Sequence, residues 1–371
     1  MKKTIFKNLF VDIIIFFILC SFTLTLITWI LQAVNFLDIV SEDGHSLKVY
    51  FAYSSLNIPK IFSKLLLLSF FISMFYVLSV YENKNQLLIF WINGITKKEF
   101  INKILKLTIL YLLISYLLSY FIVPYTQNKA RSFIRQSNLD FFPSLIKPKK
   151  FIDTVENLTI FLDEKKDDSI EKILIKEDGN LSSQLIISKR GVILDNNLNK
   201  YLKLENGIII KDVTKKDSQS FTFENTNFDL NKFKTKTTIT PKIQETSSKK
   251  IINCLKNLED DKLNLTVTER EFNCQKSLKK KLIEELYKRI ILPFFIPLLG
   301  IISCFIILKS KNNFNYNYFK FKVFFTGIII IILSQIFNNL VSKNFYTFIF
   351  SISFPFILII ASYFIFNKKI N

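Results

Sequence analysis

The side chains that most enzymes use for chemistry are sparse in this sequence. Its only histidine is His45, and its seven glycines never fall at the spacing of a phosphate-binding loop. A histidine-based metal site or catalytic triad therefore cannot be assembled. We expect no enzyme activity, no metal site and no bound cofactor, so any energy source must belong to a partner protein.

Four cysteines could carry redox or structural chemistry. Cys20 and Cys304 fall in strongly apolar runs, where a thiol usually acts as a small apolar packing group. Cys254 and Cys274 lie 20 residues apart in a polar segment. An oxidising compartment would allow a structural disulfide between them, and two unrelated thiols are the alternative.

The segment 82–103 carries the most specific short pattern. Apolar residues recur there at helical spacing, namely Leu87, Leu88, Trp91, Ile92 and Ile95. Gly94 breaks this helix, and Thr96 begins another, with Glu99 placed to complete a capping box. Such a short amphipathic helix either lies among lipid headgroups or inserts into a groove on a cytoplasmic ATPase as a coupling helix.

The elements that position these residues are membrane spans. The chain has 371 residues and a net charge of +20, which is typical of proteins that bind nucleic acid or an anionic membrane surface. A span needs about 20 apolar residues. Six stretches meet or approach this length: Ile13–Val34, Ile58–Tyr81, Ile104–Pro124, Ile290–Leu308, Phe321–Val341 and Phe345–Phe366. We therefore expect a membrane protein without a nucleic-acid partner.

Basic residues indicate which loops stay in the cytoplasm. They are concentrated at the N-terminus, in the loops 82–103 and 309–322, and at the C-terminus. The first apolar run is too long for a cleaved signal peptide and lacks a small-residue cleavage site. We predict a multi-pass protein with both termini cytoplasmic. Residues 1–124 hold three spans and the short helix, residues 125–288 an external domain with flanking helices, and residues 289–371 three further spans.

The external segment changes from helical runs to short stretches with a period of two residues. The predicted strands are Phe151–Leu162, Lys172–Lys176, Gln184–Leu194, Tyr201–Asp212 and Ser218–Leu230. Turn signals separate or interrupt them: Glu177-Asp178-Gly179-Asn180, Lys189-Arg190-Gly191, Asp195-Asn196-Asn197 and Glu205-Asn206-Gly207. Strands of this length and spacing predict a β-sandwich or a jelly-roll sheet.

Together these features resemble the LptF/LptG family of permeases, which export lipopolysaccharide in Gram-negative bacteria. The run 86–96 is similar to the family motif that follows span two. Gly94, the following Ile95-Thr96 and the apolar pattern match, whereas Gln86 stands where the family has an acid, and the nearest carboxylate is Glu82. The runs 29–38 and 285–293 are also similar to the family, and the first of them favours LptF over LptG.

The resemblance implies an α-helical polytopic protein of the bacterial inner membrane, with three spans on each side of an inserted periplasmic β-jelly-roll domain. It implies a non-catalytic permease subunit that pairs with an LptG-like second permease and with an LptB-like ATPase, which binds the ATP. Lipopolysaccharide would leave the outer leaflet of this membrane and pass to LptC- and LptA-like periplasmic proteins. In the family the motif acid pairs with a basic residue of the ATPase, a role that falls here to Gln86 or Glu82.

The resemblance also implies where the substrate would make contact. The candidates are Phe22, Leu26, Phe325 and Ile329 for the acyl chains, Lys48, Lys60 and Lys64 for the lipid A phosphates, and Gln335 for the sugars. Ordinary lipid packing of the apolar residues and snorkelling of the lysines are the alternatives.

Three other functions fit part of the pattern. A lipoprotein-release permease has four spans with its external domain after the first, which the six predicted spans disfavour. An ATPase-independent scaffold or receptor that presents a periplasmic β-domain would have no use for a coupling helix. A secondary transporter would need an intramembrane acid or paired broken helices, and neither is evident in the sequence.

Overall fold

The computed structural model describes residues 2–37, 47–136, 148–155, 158–166, 169–178, 183–196, 199–211, 219–229, 242–259, 274 and 276–370. His45 lies outside these ranges. The chain divides into two compact units. The helical unit comprises Met1–Leu31, Asn57–Asn128 and Lys242–Asn371, and the sheet unit comprises Gln32–Leu56 and Lys129–Pro241. The segment Lys242–Lys288 lies in the helical unit by this division, and its predicted external location with the β-domain stays a prediction.

Eleven α-helices are present among the described residues. They are α1 (Lys2–Asn35), α2 (Leu47–Leu56), α3 (Ile58–Asn83), α4 (Leu87–Ile92), α5 (Lys97–Leu117), α6 (Val123–Gln136), α7 (Ser248–Glu259), α8 (Lys279–Ile290), α9 (Phe295–Cys304), α10 (Tyr316–Leu340) and α11 (Phe345–Lys368). A π-helical turn, Leu118–Ile122, joins α5 to α6. Short 3-10 helices lie at Ile243–Glu245, Lys276–Leu278, Leu292–Phe294 and Phe305–Leu308.

Six helical stretches in the described part of the chain are long and apolar enough to cross a membrane. They are Lys2–Asn35, Leu47–Asn83, Lys97–Ile134, Lys279–Leu308, Tyr316–Leu340 and Phe345–Lys368. Five of them contain a predicted apolar run in full, and Tyr316–Leu340 contains all but the last residue of Phe321–Val341. The predicted six-span architecture is therefore confirmed. Between the third and fourth of them lies the β-structure of the sheet unit.

The fourth span forms the centre of the helical unit. All ten residues of α9 are buried, and α9 packs against α3, α5, α10 and α11. Helices in a membrane associate through close packing rather than through the hydrophobic effect. Gly327 of α10 shows this, because a Cβ atom there would lie 2.0 Å from the ring of Phe71 on α3. The small residue lets these two spans approach each other closely.

The sheet unit contains six strands among the described residues. They are β1 (Ile152–Val155), β2 (Leu158–Lys166), β3 (Ser169–Asp178), β4 (Ser183–Asn196), β5 (Asn199–Lys211) and β6 (Gln219–Asp229). Every strand pairs antiparallel with its neighbour in sequence, in the order β1-β2-β3-β4-β5-β6. The expected β-domain is therefore present. Its described strands form a meander, whereas a jelly roll needs crossed connections.

A row of distorted positions crosses the sheet where we predicted two turns. Lys172 and Asn206 have φ values of 50° and 52°. At these positions the pairing of β3 with β4 and of β4 with β5 is interrupted, and beyond them it resumes in the same register. Ile170 and Ile173 are consequently both buried, although they lie three residues apart. The predicted turns 189–191 and 205–207 were therefore wrong, since these residues lie inside long strands at this distortion.

An exposed ion pair marks one end of the row. The Lys172 ammonium lies 2.8 Å from a carboxylate oxygen of Asp163 on the neighbouring strand. This hydrogen bond holds the pKa of the Asp163 carboxyl below its usual range.

Candidate functional site

The short helix α4 is shaped by backbone conformations at both of its ends. Asn85 has a φ of 59° and separates α4 from α3. Gly94 has a φ of 68° at the other end. The N–H of Ile95 donates to the carbonyl of Phe90, and the N–H of Gly94 donates to that of Trp91. These two bonds form a Schellman motif, which needs a left-handed residue at its turn and therefore favours glycine.

The residues that follow α4 are tied to both neighbouring helices. The Thr96 hydroxyl accepts a hydrogen bond from the Glu99 N–H at 3.1 Å and begins α5. The Lys2 ammonium at the start of α1 donates to the Gly94 carbonyl at 3.0 Å and lies 3.4 Å from the Glu99 carboxylate. The turn between α4 and α5 is therefore fixed in position.

The apolar residues of α4 divide into two faces. Leu87 and Phe90 are buried in the helical core, as is Ile95 in the turn that follows α4. Leu88, Ile89 and Ile92 point outward, and Ile92 is 82 % exposed. The predicted stripe therefore mixed the two faces, because α4 is only six residues long and its inner face packs against the spans. We call Leu88, Ile89 and Ile92 the outer apolar face of α4.

Trp91 has a different place from the one that the sequence indicated. Its ring centroid lies 5.9 Å from that of Phe100, and the side chain is partly buried against the helical core. Ile89, which the prediction omitted, belongs to the outer apolar face instead. A test of whether a partner protein binds α4 should therefore change Ile92, because Trp91 is partly buried.

The two candidate partners for an ATPase cation lie in different environments. Glu82 accepts a hydrogen bond from the backbone N–H of Lys311 at 2.9 Å. The Lys311 ammonium in turn donates to the carbonyl of Asn83 at 3.0 Å. Gln86 is the N-cap residue of α4, and its side chain makes no capping hydrogen bond. Glu82 therefore serves an internal contact, and Gln86 lies at the base of the outer apolar face.

A polar cavity of about 460 Å³ lies elsewhere in the helical unit, between α3, α5, α8 and α10. It brings together three of the predicted substrate contacts, Lys60, Lys64 and Gln335. Asn338 also lines it, and the buried Oδ1 atom of Asn338 has no hydrogen-bond partner among the described residues. Buried polar atoms are usually satisfied, so this atom marks the cavity as a candidate binding site.

Arg289 holds one wall of the same cavity. Its side chain is 1 % exposed and forms an ion pair with Glu285 at 3.0 Å. It also donates to the Thr246 carbonyl at 2.9 Å and to the Ser248 hydroxyl at 3.0 Å. The sequence prediction missed this group, although the spacing of four residues between Glu285 and Arg289 is typical of a helical ion pair.

The remaining predicted contacts are dispersed. Phe22, Phe325 and Ile329 are exposed on spans one and five, and Leu26 is half-buried. The structure does not bring these four residues into the polar cavity. Lys48 is exposed on α2 in the sheet unit. Apolar side chains exposed on spans face lipid or another membrane subunit.

A disulfide bond joins Cys254 to Cys274 in the structure. It connects α7 to the residue that lies just before the 3-10 helix leading into α8. The buried side chains of Ile251 and Leu282 pack beside it. Cys20 and Cys304 are free thiols within the first and fourth spans. Among the described residues, no cluster of three or more metal-ligating side chains is present.

The comparison with known families decides the assignment. A family model described as lipopolysaccharide export system permease LptF/LptG matches residues 7–369. The chain belongs to the LptF/LptG family. This match spans all six candidate membrane helices and the sheet unit, and it does not distinguish LptF from LptG. None of the curated proteins compared with the chain matches it.

Membership in LptF/LptG makes this chain a membrane permease of lipopolysaccharide export. The predicted family resemblance is thereby confirmed over nearly the whole chain. The six spans and the inserted sheet are the elements expected of such a permease.

Proposed function

We propose that this chain is the membrane subunit of an ATP-driven exporter of lipopolysaccharide. It works with a second six-span subunit and a cytoplasmic ATPase, in the inner membrane of a Gram-negative bacterium and with both of its termini in the cytoplasm. The chain itself catalyses no reaction, because the ATP is bound and hydrolysed by the partner. Periplasmic bridge proteins receive the lipid from the β-domain.

The observation that carries this proposal is the outer apolar face of α4. Three large apolar side chains, Leu88, Ile89 and Ile92, are exposed on a six-residue helix whose inner face is anchored in the spans. The Schellman turn and the bonds from Lys2 hold that helix in one position. A rigid apolar knob of this kind fits a groove on a partner protein, and Gln86 would donate or accept a hydrogen bond at its edge.

The polar cavity supports the substrate assignment. Lys60 and Lys64 supply two cations, and Gln335 and Asn338 supply hydrogen-bonding groups. Phosphates on lipid A require such charge-assisted hydrogen bonds. Phe22, Leu26, Phe325 and Ile329 would provide apolar surface for the acyl chains, and Lys48 would provide a further cation in the sheet unit.

Affinity purification from native membranes tests the ATPase contact. We expect the wild-type chain to bring down an ATPase and a second six-span subunit. Ile92→Arg should keep the membrane partner and lose the ATPase, because an apolar groove does not accept an unpaired charge. Phe314→Arg is the matched control, because Phe314 is also fully exposed on a loop at a span end but lies outside α4.

Two outcomes would contradict the proposal. If the wild-type chain brings down no ATPase, a scaffold that presents an external β-domain is the better account. If Phe314→Arg loses the ATPase as completely as Ile92→Arg, the loss reflects added charge rather than the outer apolar face.

Crosslinking tests the polar cavity separately. A photoreactive residue in place of Ser63, which lines the cavity beside Lys64, should form an adduct with lipopolysaccharide. The double variant Lys60→Gln/Lys64→Gln should reduce that adduct. Lys343→Gln should leave it unchanged, because Lys343 is exposed and does not line the cavity.

A further inference from the structure

A second, apolar groove of about 290 Å³ lies between the last three spans. Its walls are built by α9, α10 and α11, and it contains none of the residues assigned above to the ATPase or to lipopolysaccharide. Leu298, Ile330 and Leu358 line the end of the groove nearest the middle of the spans, and Phe319 and Ile365 line the end nearest the span termini. Two lysines, Lys322 and Lys369, line the same end as Phe319 and Ile365, which we call the basic end of the groove.

The lining is apolar even where it contains hydroxyl groups. Thr326 donates to the Val323 carbonyl at 2.7 Å, and Ser362 donates to the Ile359 carbonyl at 3.0 Å. Both hydroxyls are therefore satisfied within their own helices. Neither hydroxyl therefore has a proton left to donate to a ligand, and the charged residues of the lining are the two lysines at the basic end.

The elements that line the groove supply no acidic side chain to its basic end. Residues 286–371, which supply every element of the groove, contain no aspartate or glutamate. A third cation is near, because the Lys309 ammonium lies 5.0 Å from the centre of the Phe319 ring. An anionic group that neutralises these lysines must therefore come from outside the lining elements.

The length of the groove matches one leaflet of a membrane. Lys322 and Ile330 are eight residues apart on α10, which corresponds to about 12 Å at about 1.5 Å per residue. Half of a hydrocarbon core is about 15 Å thick. An acyl chain that follows the groove from its basic end would therefore reach close to the middle of the membrane.

We propose that this groove binds an anionic phospholipid, with one acyl chain between α10 and α11 and the headgroup phosphate at Lys322 and Lys369. Basic pockets between membrane helices bind anionic headgroups in this way. The proposed topology of the chain places this lipid in the cytoplasmic leaflet. Only the choice of leaflet rests on the proposed function. The site differs from the polar cavity in its residues, its helices and its ligand.

Native mass spectrometry of the purified full-length chain tests the headgroup contact. The probes are phosphatidylglycerol and phosphatidylcholine with identical acyl chains. We expect phosphatidylglycerol to be retained in preference to phosphatidylcholine. Lys322→Gln/Lys369→Gln should weaken phosphatidylglycerol binding about tenfold or more, because each lysine near an anionic lipid surface contributes substantially to the free energy of binding. The matched control is Lys320→Gln/Lys368→Gln, which removes the same charge from adjacent positions that do not line the groove.

Photocrosslinking tests the acyl contact. Phosphatidylglycerol with a diazirine near the end of one acyl chain should label peptides of α9, α10 and α11. Thr326→Phe should remove this labelling by filling the groove, and the charge variants provide an independent test if that variant does not fold. Equal loss of phosphatidylglycerol in both double lysine variants would overturn the proposal, as would unchanged labelling in a folded Thr326→Phe chain.

These results are separable from those on the proposed function. The same preparations are assayed for co-purified ATPase, which the groove variants should retain. Loss of lipid binding with the ATPase retained contradicts only the lipid site. Absence of the ATPase from the wild-type preparation contradicts only the proposed exporter.

Discussion

Glu82 and Lys311 are 229 positions apart in the chain, yet the Glu82 carboxylate accepts the backbone N–H of Lys311 at 2.9 Å. Glu82 lies in the last turn of α3, directly before α4. Lys311 lies in the loop that leads into α10, the fifth span. The Lys311 ammonium closes the contact by donating to the carbonyl of Asn83. The end of span two is therefore fastened to the start of span five.

This contact continues inside the membrane. Phe71 on α3 packs on Gly327 of α10, and the ring of Phe324 lies 5.0 Å from that of Phe75. Spans two and five are therefore linked at several levels. We expect a displacement of α4 to be transmitted to span five through these contacts.

Glu82→Ala should uncouple transport from ATP hydrolysis without releasing the ATPase. The outer apolar face of α4 is unchanged in this variant, whereas a hydrogen bond to a charged acceptor, worth about 1.5–3 kcal/mol, is lost. Lipopolysaccharide release from proteoliposomes and ATP hydrolysis should be measured together. Glu82→Gln keeps an acceptor oxygen and should restore part of the transport. An Ala variant that transports at the wild-type rate would contradict the role given to Glu82.

Gly94→Ala should weaken ATPase binding through the backbone alone. A Cβ atom at Gly94 meets nothing within 4 Å, so the change brings no steric clash. A residue with a side chain at a φ of 68° costs about 1 kcal/mol, or about a fivefold loss of affinity. Asparagine tolerates this conformation better than alanine, and Gly94→Asn should therefore bind more tightly than Gly94→Ala. Binding is measured by titrating the purified ATPase; the reverse order of affinities would refute the argument.

Arg289→Met should destabilise the helical unit. It leaves the Glu285 carboxylate without its buried partner and the Thr246 carbonyl without its donor. Breaking a buried ion pair in this way costs about 3–5 kcal/mol, so the melting temperature in detergent should fall by several degrees. Lys288→Met is the control, because it removes the same charge from a half-exposed neighbour. Equal falls in the melting temperature of the two variants would show that the buried contacts of Arg289 do not stabilise the helical unit.

Reduction of the Cys254–Cys274 disulfide should lower the melting temperature. The bond closes a loop with a sequence separation of 20, for which about 3 kcal/mol of stabilisation is expected. Cys254→Ser/Cys274→Ser should match the reduced wild type and should not respond to reductant. Maleimide labelling of the denatured, unreduced chain should detect only the thiols of Cys20 and Cys304. Labelling at Cys254 in native membranes would contradict the bond.

The spans and strands were predictable because each leaves a periodic or compositional mark. A run of about 20 apolar residues is long enough to cross a membrane, and all six predicted runs lie in spans except for the last residue of Phe321–Val341. Alternation located the strands, but the predicted strand Phe151–Leu162 was wrong as a single element, because the structure divides it between β1 and β2. The two false turns arose because Asn206-Gly207 and Arg190-Gly191 have turn composition, whereas long-range pairing keeps both inside strands.

The sites were less predictable, because tertiary contacts assign the faces. Helical spacing grouped Leu87 with Leu88, but only packing against the spans shows that one is buried and the other exposed. Lys60, Lys64 and Gln335 were named as separate candidates, and their convergence on one cavity depends on how spans two and five meet. The contact of Glu82 with a backbone N–H has no sequence signature at all.

The buried Arg289 has a consequence for how the chain is made. Its partners all precede it in the sequence: the carbonyls of Ile243, Gln244 and Thr246, the Ser248 hydroxyl and the Glu285 carboxylate. A chain synthesised from its N-terminus therefore releases the Glu285 carboxylate and these neutral acceptors from the ribosome before the Arg289 guanidinium. We therefore expect Arg289 to find its partners already synthesised when the fourth span is inserted.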